Sequence, residues 1–272
     1  MTLCYHIVMK RGFFIVLEGP DRSGKSTQAW LLKTWFERKG YCVVLTREPG
    51  GTKVSEQVRK ILLDPNNNIE RLTELFLYES SRAQHTLEII LPALKSGKVV
   101  ISDRFTMSTS AYQGYGRGLP LKTVNTLNHI ATCGLKPDLI FVFDIPDRIF
   151  AERERLAQKL TGPDRIERES AAFRKRVNRA YKIMAQKPGV DRVNGALPVA
   201  DIQKEIISRV RRLVQGTGHK AQSSGGAVSN GLWPTNGQVT RHNAAVTSHR
   251  TQVTSNSASK TQKRKSTRLG KL

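Results

Sequence analysis

One loop constrains the fold of this chain more than any other segment. Gly19–Ser26 (GPDRSGKS) matches the pattern G-x-x-x-x-G-K-[ST] in full. It directly follows a short apolar run, Phe13–Leu17, and directly precedes a segment with apolar residues at helical spacing. That order of strand, loop and helix is the context in which the pattern holds nucleotide phosphates. The sequence therefore predicts a P-loop fold that binds a nucleoside triphosphate.

Different residues of the loop are predicted to bind different parts of the nucleotide. Glycines allow the backbone to curl until its N–H groups point at phosphate oxygens, and the positive end of the following helix adds to the attraction. We expect Lys25 to reach the β- and γ-phosphates and the Ser26 hydroxyl to ligate Mg²⁺. Thr27 follows at the α-phosphate. The other predicted nucleotide-binding residues are Gly19, Pro20, Asp21, Arg22, Ser23 and Gly24.

Arg22 lies inside the loop, where it brings a positive charge to the phosphates. The transition state of phosphoryl transfer spreads negative charge over the equatorial oxygens, and an inserted arginine can neutralise that charge. We therefore predict a catalytic role for Arg22. An exposed loop arginine without a catalytic role is the alternative.

Strand and helix signals alternate through residue 214. Further strands are predicted at Tyr41–Leu45, Val99–Ser102, Leu139–Phe143 and Asp191–Val193, and helices at 70–96, 106–115, 121–132, 147–160, 167–187 and 199–214. Two more helices are expected, one ending at Gly40 and one burying Val54, Val58, Ile61 and Leu62. This alternation predicts a three-layer α/β fold, with a parallel five-stranded sheet and helices on both faces, in one domain over residues 12–214.

The formal net charge of +23 has two sources. After Gln215 the chain carries nine Lys/Arg and no Asp or Glu, so the preceding part holds +23 − 9 = +14. A basic core favours anionic ligands, which include nucleotides and nucleic acids. Polar residues and glycine dominate from Gly216 onward, which predicts a disordered, basic, low-complexity tail over residues 215–272. Two interpretations of the tail stay open: a solvated segment without a specific role, and weak nucleic-acid contact or targeting through Lys260–Lys271.

The apolar runs, the N-terminal residues and the cysteines indicate the cellular compartment of the protein. No apolar run approaches the roughly 18–20 residues of a membrane span. Residues 1–11 hold too short an apolar stretch for a secretory signal and are predicted to be an N-terminal extension. The scattered cysteines Cys4, Cys42 and Cys133 argue against a disulfide framework or a metal site. We expect Cys42 and Cys133 in the core and the protein in the reducing cytoplasm.

Polar segments follow the later strands, where a kinase needs a site for its acceptor. Arg47 begins one of them, and a cation there can hold an acceptor phosphate. Tyr78 and Arg82 lie four apart on one helix face, which suits stacking on a nucleobase and donation to its exocyclic oxygen. Asp103 and Arg104 end the next strand. We expect Asp103 to hold Mg²⁺ through water and Arg104 to bridge the two phosphates.

A further segment, Ser108–Gly114 (STSAYQG), brings hydroxyls, an amide and another aromatic ring. Each residue also has a structural alternative: core packing for Tyr78, a helix-surface charge for Arg82, and a local ion pair for Asp103 with Arg104. Their ordered appearance after successive strands favours the functional interpretation.

Taken together, these motifs resemble those of thymidylate kinase, and of its bacterial members more than its animal ones. The resemblance covers about residues 12–212 and is carried by FIVLEGPDRSGKST (Phe14–Thr27), TREPGGT (Thr46–Thr52), Tyr78–Arg82, Asp103-Arg104, AYQG (Ala111–Gly114) and DRIE (Asp164–Glu167). It implies a nucleoside-monophosphate kinase of the P-loop type. The implied reaction is ATP + dTMP ⇌ ADP + dTDP with Mg²⁺, catalysed by a homodimer.

The resemblance also implies roles for single residues. Asp21 matches the acidic residue that contacts the sugar 3′-hydroxyl, and Arg47 matches the arginine that holds the dTMP phosphate. Tyr78 matches the aromatic residue stacked on thymine, and Arg82 matches the arginine that reads the base. The positions lining the deoxynucleotide pocket are Ser108, Tyr112 and Gln113. Glu18 is expected near Mg²⁺ through water, with a structural hydrogen-bonding role as the alternative.

A lid is expected over about residues 151–166, whose basic residues are Arg153, Arg155, Lys159 and Arg165. The family places its catalytic arginine either in the P-loop or in the lid. We predict Arg22 as the catalytic arginine, with Arg153 or Arg155 as the alternative. No general base is needed, because positioning, charge neutralisation and the exclusion of water by lid closure carry the reaction.

Two rival functions share parts of the pattern. The first is a P-loop kinase for another nucleoside monophosphate, since the motifs do not separate dTMP from dUMP. The second is a nucleic-acid-binding P-loop ATPase, in which Asp144 would imitate the Walker-B carboxylate and the basic tail would add phosphate contacts. Such ATPases need a much larger polymer-binding surface, so the kinase is favoured.

Overall fold

The computed structural model describes residues 11–158 and 162–216. The predictions for residues 1–10, for Lys159 and for the tail beyond residue 216 lie outside the described residues. The strands are β1 (Phe14–Glu18), β2 (Val43–Arg47), β3 (Val99–Asp103), β4 (Leu139–Asp144) and β5 (Asp191–Asn194). The helices are α1 (Lys25–Arg38), α2 (Lys53–Leu63), α3 (Arg71–His85), α4 (Leu91–Lys95), α5 (Thr106–Thr109), α6 (Leu121–Ala131), α7 (Asp147–Gln158), α8 (Ala171–Met184) and α9 (Val199–Gly216). Within these described ranges, no helix has the length and apolar character needed to cross a membrane.

The strands form one parallel sheet in the order β2-β3-β1-β4-β5. β1 is buried along its whole length, as expected for a central strand covered on both faces. In the register, Asp103 lies opposite Leu17 on one side and Arg47 on the other. The carboxyl ends of β1, β2 and β3 therefore meet at one edge of the sheet. The predicted three-layer α/β fold is confirmed.

Helices bury apolar residues against both faces of the sheet. One cluster joins α1 and α9 to the strands through Leu32, Phe36, Ile206, Leu17 and Phe143. On the opposite face, α8 packs through Phe173, Val177 and Met184 against Val142. A third cluster joins Ile90 and Leu94 to Phe14, Val16 and Val100. The site therefore rests on a sheet that is packed on both faces.

Most predicted elements are confirmed, with differences at their ends. Gly40 (φ 85) follows α1 as predicted, and its N–H donates to the Glu37 carbonyl oxygen (2.9 Å). β2 begins at Val43 rather than Tyr41. α8 begins later than residue 167 because Ser170 caps it, with Oγ accepting from the Phe173 N–H at 3.2 Å. The predicted helices 70–96 and 106–115 contain π-helical turns at Thr86–Ile90 and Ser110–Gly116.

Two burial predictions are wrong. Val54 and Ile61 of α2 are 53% and 47% exposed, although Leu62 is buried. The spacing of apolar residues predicted the helix correctly, but it did not predict which side of the helix is buried. Cys133 is exposed and Cys42 is only half-buried. Cys133 lies in the turn after α6 with a φ of 52, outside the core.

Candidate active site

The predicted phosphate-binding loop lies between β1 and α1, at the carboxyl edge of the sheet. Gly19 (φ 140) and Gly24 (φ 100) hold backbone conformations that residues with side chains rarely adopt. A Cβ on Gly19 would lie 2.7 Å from the Phe143 carbonyl oxygen, so space also requires glycine there. Gly24 is the N-cap of α1. The first N–H groups of that helix have no partner within it and are available to a phosphate.

Lys25 is buried and folds back onto the loop. Its Nζ donates to the Pro20 carbonyl oxygen (2.6 Å) and to Ser23 Oγ (3.3 Å). Burial and the charge of Arg104 lower the pKa of Lys25 to about 8, against the attraction of nearby carboxylates. Two oxygen atoms of the loop thus hold the Lys25 ammonium against it.

Ser26 and Asp103 form the polar pair expected at a metal. The Ser26 hydroxyl donates to Asp103 Oδ2, while Asp103 Oδ1 is buried and has no hydrogen-bond partner in the part of the chain that the structure describes. A hydroxyl and a carboxylate with a spare oxygen fit Mg²⁺, which takes its other ligands from water and phosphates. Among the described residues, no group of three or more His, Cys, Asp or Glu could hold a metal without such help.

Glu18 is engaged elsewhere. Its Oε1 accepts from the backbone N–H groups of Phe105 (2.8 Å) and Ser108 (3.2 Å), and its Oε2 accepts from the Ser108 hydroxyl (2.7 Å). Burial raises the pKa of Glu18, although these bonds oppose the shift. Both oxygens hold the segment after β3 in place. This geometry favours the structural alternative over the predicted role near the metal.

Arg104 connects the loop to the acceptor side. It follows β3 with a φ of 76, and its Nη1 donates to the Gly19 carbonyl oxygen (2.8 Å) and to Ser108 Oγ (3.1 Å). Its Nη2 donates to Asp21. Burial opposes the ionisation of Asp21, but the charges of Arg104 and Lys25 outweigh burial and hold the pKa of Asp21 below its ordinary value. Asp21 is therefore a carboxylate at neutral pH.

A cavity of about 90 Å³ lies at this edge of the sheet. Seven of the predicted acceptor-site residues line it: Asp21, Tyr78, Arg82, Arg104, Ser108, Tyr112 and Gln113. Asp164 and Ile166 of the predicted lid also belong to its wall. Glu48, Pro49 and Thr109 of the lining lie within the predicted motif segments, although no single role was predicted for them. Arg59 and Leu63 lie outside those segments. The structure thus brings the predicted base-binding and sugar-binding side chains together.

Arg82 is 2% exposed, so the interpretation as a helix-surface charge is wrong. Nε donates to Glu48 Oε2 (2.8 Å) and Nη2 to the Phe105 carbonyl oxygen (3.0 Å). Nη1 lies 2.7–2.9 Å from acceptor oxygens of Glu79, Thr109 and Asn128. A guanidinium has five N–H donors, two of them on Nη2. Since Phe105 supplies the sole Nη2 acceptor among the described residues, one Nη2 hydrogen remains for a ligand.

Two tyrosines complete the apolar part of the wall. Burial raises the pKa of both Tyr78 and Tyr112, so both phenols are neutral at physiological pH. The Tyr112 hydroxyl donates to Asp21 Oδ2 at 2.9 Å, which fixes the ring beside the loop. The Arg104 guanidinium lies 5.4 Å from the centre of the Tyr112 ring.

Glu74 links this wall to the lid, although sequence reasoning missed it. Its Oε1 accepts from Gln113 Nε2 (2.8 Å), and its Oε2 lies 2.7 Å from Arg165 Nη1. Arg117 also pairs with it at 2.9 Å. Burial alone would raise the pKa of Glu74, but the bonds from Arg117 and Gln113 and the charge of Arg165 lower it. A lid arginine and a pocket amide therefore share one carboxylate.

The structure does not bring Arg47 into the cavity. Its side chain is 55% exposed, and its Nη2 donates to both carboxylate oxygens of Glu56 (3.1 and 3.2 Å). Arg47 lines a neighbouring cleft with Ser26 and Asp103. Arg59 of α2 lines the cavity instead, with Nη1 donating to the Pro49 carbonyl oxygen (2.9 Å). Arg59 directly follows Val58, which the sequence predicted to point inward. That position could have indicated Arg59 as a candidate for the site.

The three candidates for the catalytic arginine have different surroundings. Arg22 (φ 60) donates through Nη2 to Glu167 Oε1 at 2.7 Å. Arg153 donates to two backbone carbonyl oxygens, those of Arg22 (3.1 Å) and Gly195 (3.0 Å). Arg155 is exposed on α7. Arg22 therefore lies in the loop itself, whereas Arg153 joins the loop to the segment after β5.

Comparisons with known proteins agree with one another. A family model described as thymidylate kinase matches residues 17–206. A thymidylate kinase of Halothermothrix orenii is 44% identical over 201 residues, which are 74% of this chain and 97% of that protein. One of Pelobacter propionicus is 43% identical over 205 residues, which are 73% of this chain and 94% of that protein. The crystal structure of thymidylate kinase from Ehrlichia chaffeensis matches with a TM-score of 0.60 and 31% identity, over 74% of this chain and 99% of that one.

Proposed function

The chain belongs to the thymidylate kinase family, whose members phosphorylate dTMP to dTDP, and we propose how its own residues divide that reaction. ATP is the phosphoryl donor, bound at Gly19–Thr27. The acceptor is dTMP, bound in the cavity that Tyr78 and Arg82 line. The observation that carries this assignment is that Arg104 contacts the loop and lines the acceptor cavity at once.

The donor side uses the backbone and three side chains. The N–H groups of the loop and the start of α1 bind phosphate oxygens, and the Lys25 ammonium leaves its loop partners to do the same. Ser26 and Asp103 hold Mg²⁺, as the spare Asp103 oxygen supports. When bound, the ion neutralises charge on the phosphates and orients them.

The acceptor side recognises base and sugar separately. Tyr78 stacks on the base, and the remaining Nη2 hydrogen of Arg82 donates to a carbonyl oxygen of the ring. The amine of cytosine is a hydrogen-bond donor, as is Arg82 Nη2, so no hydrogen bond could form there and cytosine is disfavoured. Asp21 accepts from the sugar 3′-hydroxyl, and the Tyr112 ring occupies the space that a 2′-hydroxyl would need.

Phosphoryl transfer then depends on positioned charge. Arg59 and Arg104 hold the acceptor phosphate, and one of its oxygens attacks the terminal phosphorus of the donor while the bond to the leaving diphosphate breaks. The acceptor oxygen is already ionised, so no base removes a proton. Arg22 neutralises the charge that develops on the transferred group.

The predicted lid has to move during the cycle. The cavity of about 90 Å³ is smaller than the roughly 300–1,000 Å³ of ligand sites. Asp164 and Ile166 belong to its wall, so movement of this segment enlarges it. Closure then excludes water that would hydrolyse the donor.

The kinase domain is assigned to residues 12–214 and the tail to 215–272. This division is supported by the family match to residues 17–206. It is also supported by the Halothermothrix orenii relative, since 201 aligned residues already make up 97% of that protein. A cytoplasmic location follows from the nucleotide substrates. In nucleotide biosynthesis, the enzyme would supply dTDP for dTTP synthesis.

The acceptor profile tests the assignment. With the full chain, ATP and Mg²⁺, ADP release should require dTMP, and kcat/KM for dCMP and AMP should be at least about 100-fold lower, because an unmatched buried donor is costly. A coupled assay of ADP measures this across dTMP, dUMP, dCMP and AMP. A flat profile or a preference for AMP would contradict dTMP as the acceptor. ADP release stimulated by DNA alone would favour the nucleic-acid-dependent ATPase.

Two arginines distinguish the proposed phosphate site from the original prediction. Arg59→Ala should raise KM for dTMP by roughly tenfold or more, since it removes a charge-assisted hydrogen bond. Arg47→Ala should change it by less than about threefold, because an exposed ion pair contributes little. Steady-state kinetics at saturating ATP compare the variants. A larger rise of KM for dTMP in Arg47→Ala than in Arg59→Ala would show that Arg47 holds the acceptor phosphate.

The catalytic arginine is tested by kcat. Arg22→Ala should lower kcat at saturating dTMP by at least about tenfold, or about 1.4 kcal/mol of transition-state stabilisation. The control Glu167→Ala removes the partner of Arg22 and a long contact to the Asp164 N–H (3.4 Å), and it should keep kcat within about threefold. A larger loss in Arg155→Ala than in Arg22→Ala would move the role to the lid.

We also propose that the chain forms a homodimer through apolar side chains exposed on neighbouring helices. Leu72 and Phe76 lie one turn apart on α3 and are about half exposed, as are Val54 and Ile61 on α2. Phe76→Asp should convert the dimer to a monomer in sedimentation equilibrium. Trp30→Asp, at an exposed side chain of α1, is the matched control and should leave the dimer intact. A monomeric parent chain at micromolar concentration would refute the proposal.

A further inference from the structure

Four side chains form a hydrogen-bonded series from the end of β2 to the cavity wall. We call Thr46, His85, Glu48 and Arg82 the relay. Thr46 Oγ1 lies 2.6 Å from His85 Nε2, and His85 Nδ1 lies 3.0 Å from Glu48 Oε1. Glu48 Oε2 accepts from Arg82 Nε at 2.8 Å. His85, Glu48 and Arg82 are all buried, so solvent does not compete for these contacts.

The charge of Glu48 fixes the hydrogen positions in the relay. Burial opposes its ionisation, but Arg82 and His85 outweigh burial and hold the pKa of Glu48 below its ordinary value. A carboxylate only accepts, so His85 Nδ1 carries a hydrogen and donates it to Oε1. The Thr46 hydroxyl can serve Nε2 as donor or as acceptor. His85 thus occupies one oxygen of Glu48 and leaves the other for Arg82.

This division protects a donor that the acceptor base needs. Arginine–carboxylate pairs readily become bidentate, with both oxygens on adjacent N–H groups. A free Glu48 Oε1 would compete for an Nη2 hydrogen, and the Phe105 carbonyl oxygen already accepts from one of the two. We propose that His85 is a positioning residue for base recognition, because it confines Glu48 to Nε and keeps an Nη2 hydrogen of Arg82 facing the acceptor. The inference rests on the proposed contact between Arg82 and the base.

Gly51 covers the Thr46 end of the relay. It has a φ of 91, and a Cβ there would lie 2.6 Å from His85 Cδ2 and 2.7 Å from Thr46 Oγ1. Glycine therefore lets the turn after β2 lie directly against the imidazole. Thr46 and Glu48 of the TREPGGT segment are accounted for by this arrangement.

Two amide substitutions separate positioning from bulk structure. In His85→Asn the short amide lies near the position of Nδ1 and keeps the donation to Glu48. In His85→Gln the longer amide reaches towards Thr46 and releases Glu48. With the full chain, we expect His85→Gln to raise KM for dTMP about tenfold, which is the order of one hydrogen bond to a charged group. His85→Asn should stay within about threefold, and KM for ATP and kcat should stay within about twofold in both.

The outcomes are distinct. Equal rises of KM for dTMP in both variants, or parallel changes in kcat and KM for ATP, would show that His85 only supports the fold. A smaller effect in His85→Gln than in His85→Asn would also overturn the proposal. Arg82→Lys is measured beside them, because it keeps the charge and loses the fork of donors. If Arg82→Lys leaves KM for dTMP unchanged, the proposed base contact itself is wrong, whatever the His85 variants do.

Discussion

The pairing of β1 with β3 is the contact on which the site depends. Its register puts Leu17 opposite Asp103, so the loop from Gly19 and the segment from Arg104 leave the sheet side by side. The Arg104 N–H donates to the Leu17 carbonyl oxygen (2.9 Å), and its guanidinium turns back to Gly19. Buried Glu18 holds the same two segments together. Arg104 thus contacts both the loop and the cavity. In the proposed reaction, it would set the distance between the donor and acceptor phosphates.

The sequence was sufficient for the fold and for most of the cavity because both follow from local rules. Apolar runs, helical spacing and a complete loop motif specify the elements, and parallel strands bring the residues after them to one edge. Arg47 marks the limit of that reasoning. A strand-end position fixes where the backbone lies, but the Arg47 side chain points into the cleft beside Ser26. Arg59 comes from the middle of a helix, where no strand-end rule applies. Glu18 differs because its oxygens accept from two backbone N–H groups and a hydroxyl that only the folded chain brings together.

The wrong burial predictions on α2 have a common physical cause. Periodic apolar residues indicate that a face is covered, but they do not say whether the same chain covers it. Val54 and Ile61 join Leu72 and Phe76 among the exposed apolar side chains of two helices that pack together. A second copy of the chain is the simplest cover for such faces, in line with the proposed homodimer. The apolar spacing therefore predicted the helix correctly, whereas the predicted burial of Val54 and Ile61 in this chain is wrong.

Carboxylates hold the arginines of the site in place before phosphates arrive, and burial decides which of these pairs can open. A buried guanidinium without a partner costs several kcal/mol, so the fully buried Arg82 needs an anion throughout the cycle. Arg82 and Glu48 are 2% and 4% exposed in their side chains, which makes their pair a permanent part of the wall. Arg22 and Glu167 are 19% and 23% exposed in their side chains, and Glu167 directly follows the predicted lid. Exchanging Glu167 for a phosphate oxygen costs less there, because water already screens the pair and the incoming anion replaces the lost charge. The difference in burial is therefore consistent with the two proposed roles, a fixed contact to the base for Arg82 and a charge that changes partner for Arg22.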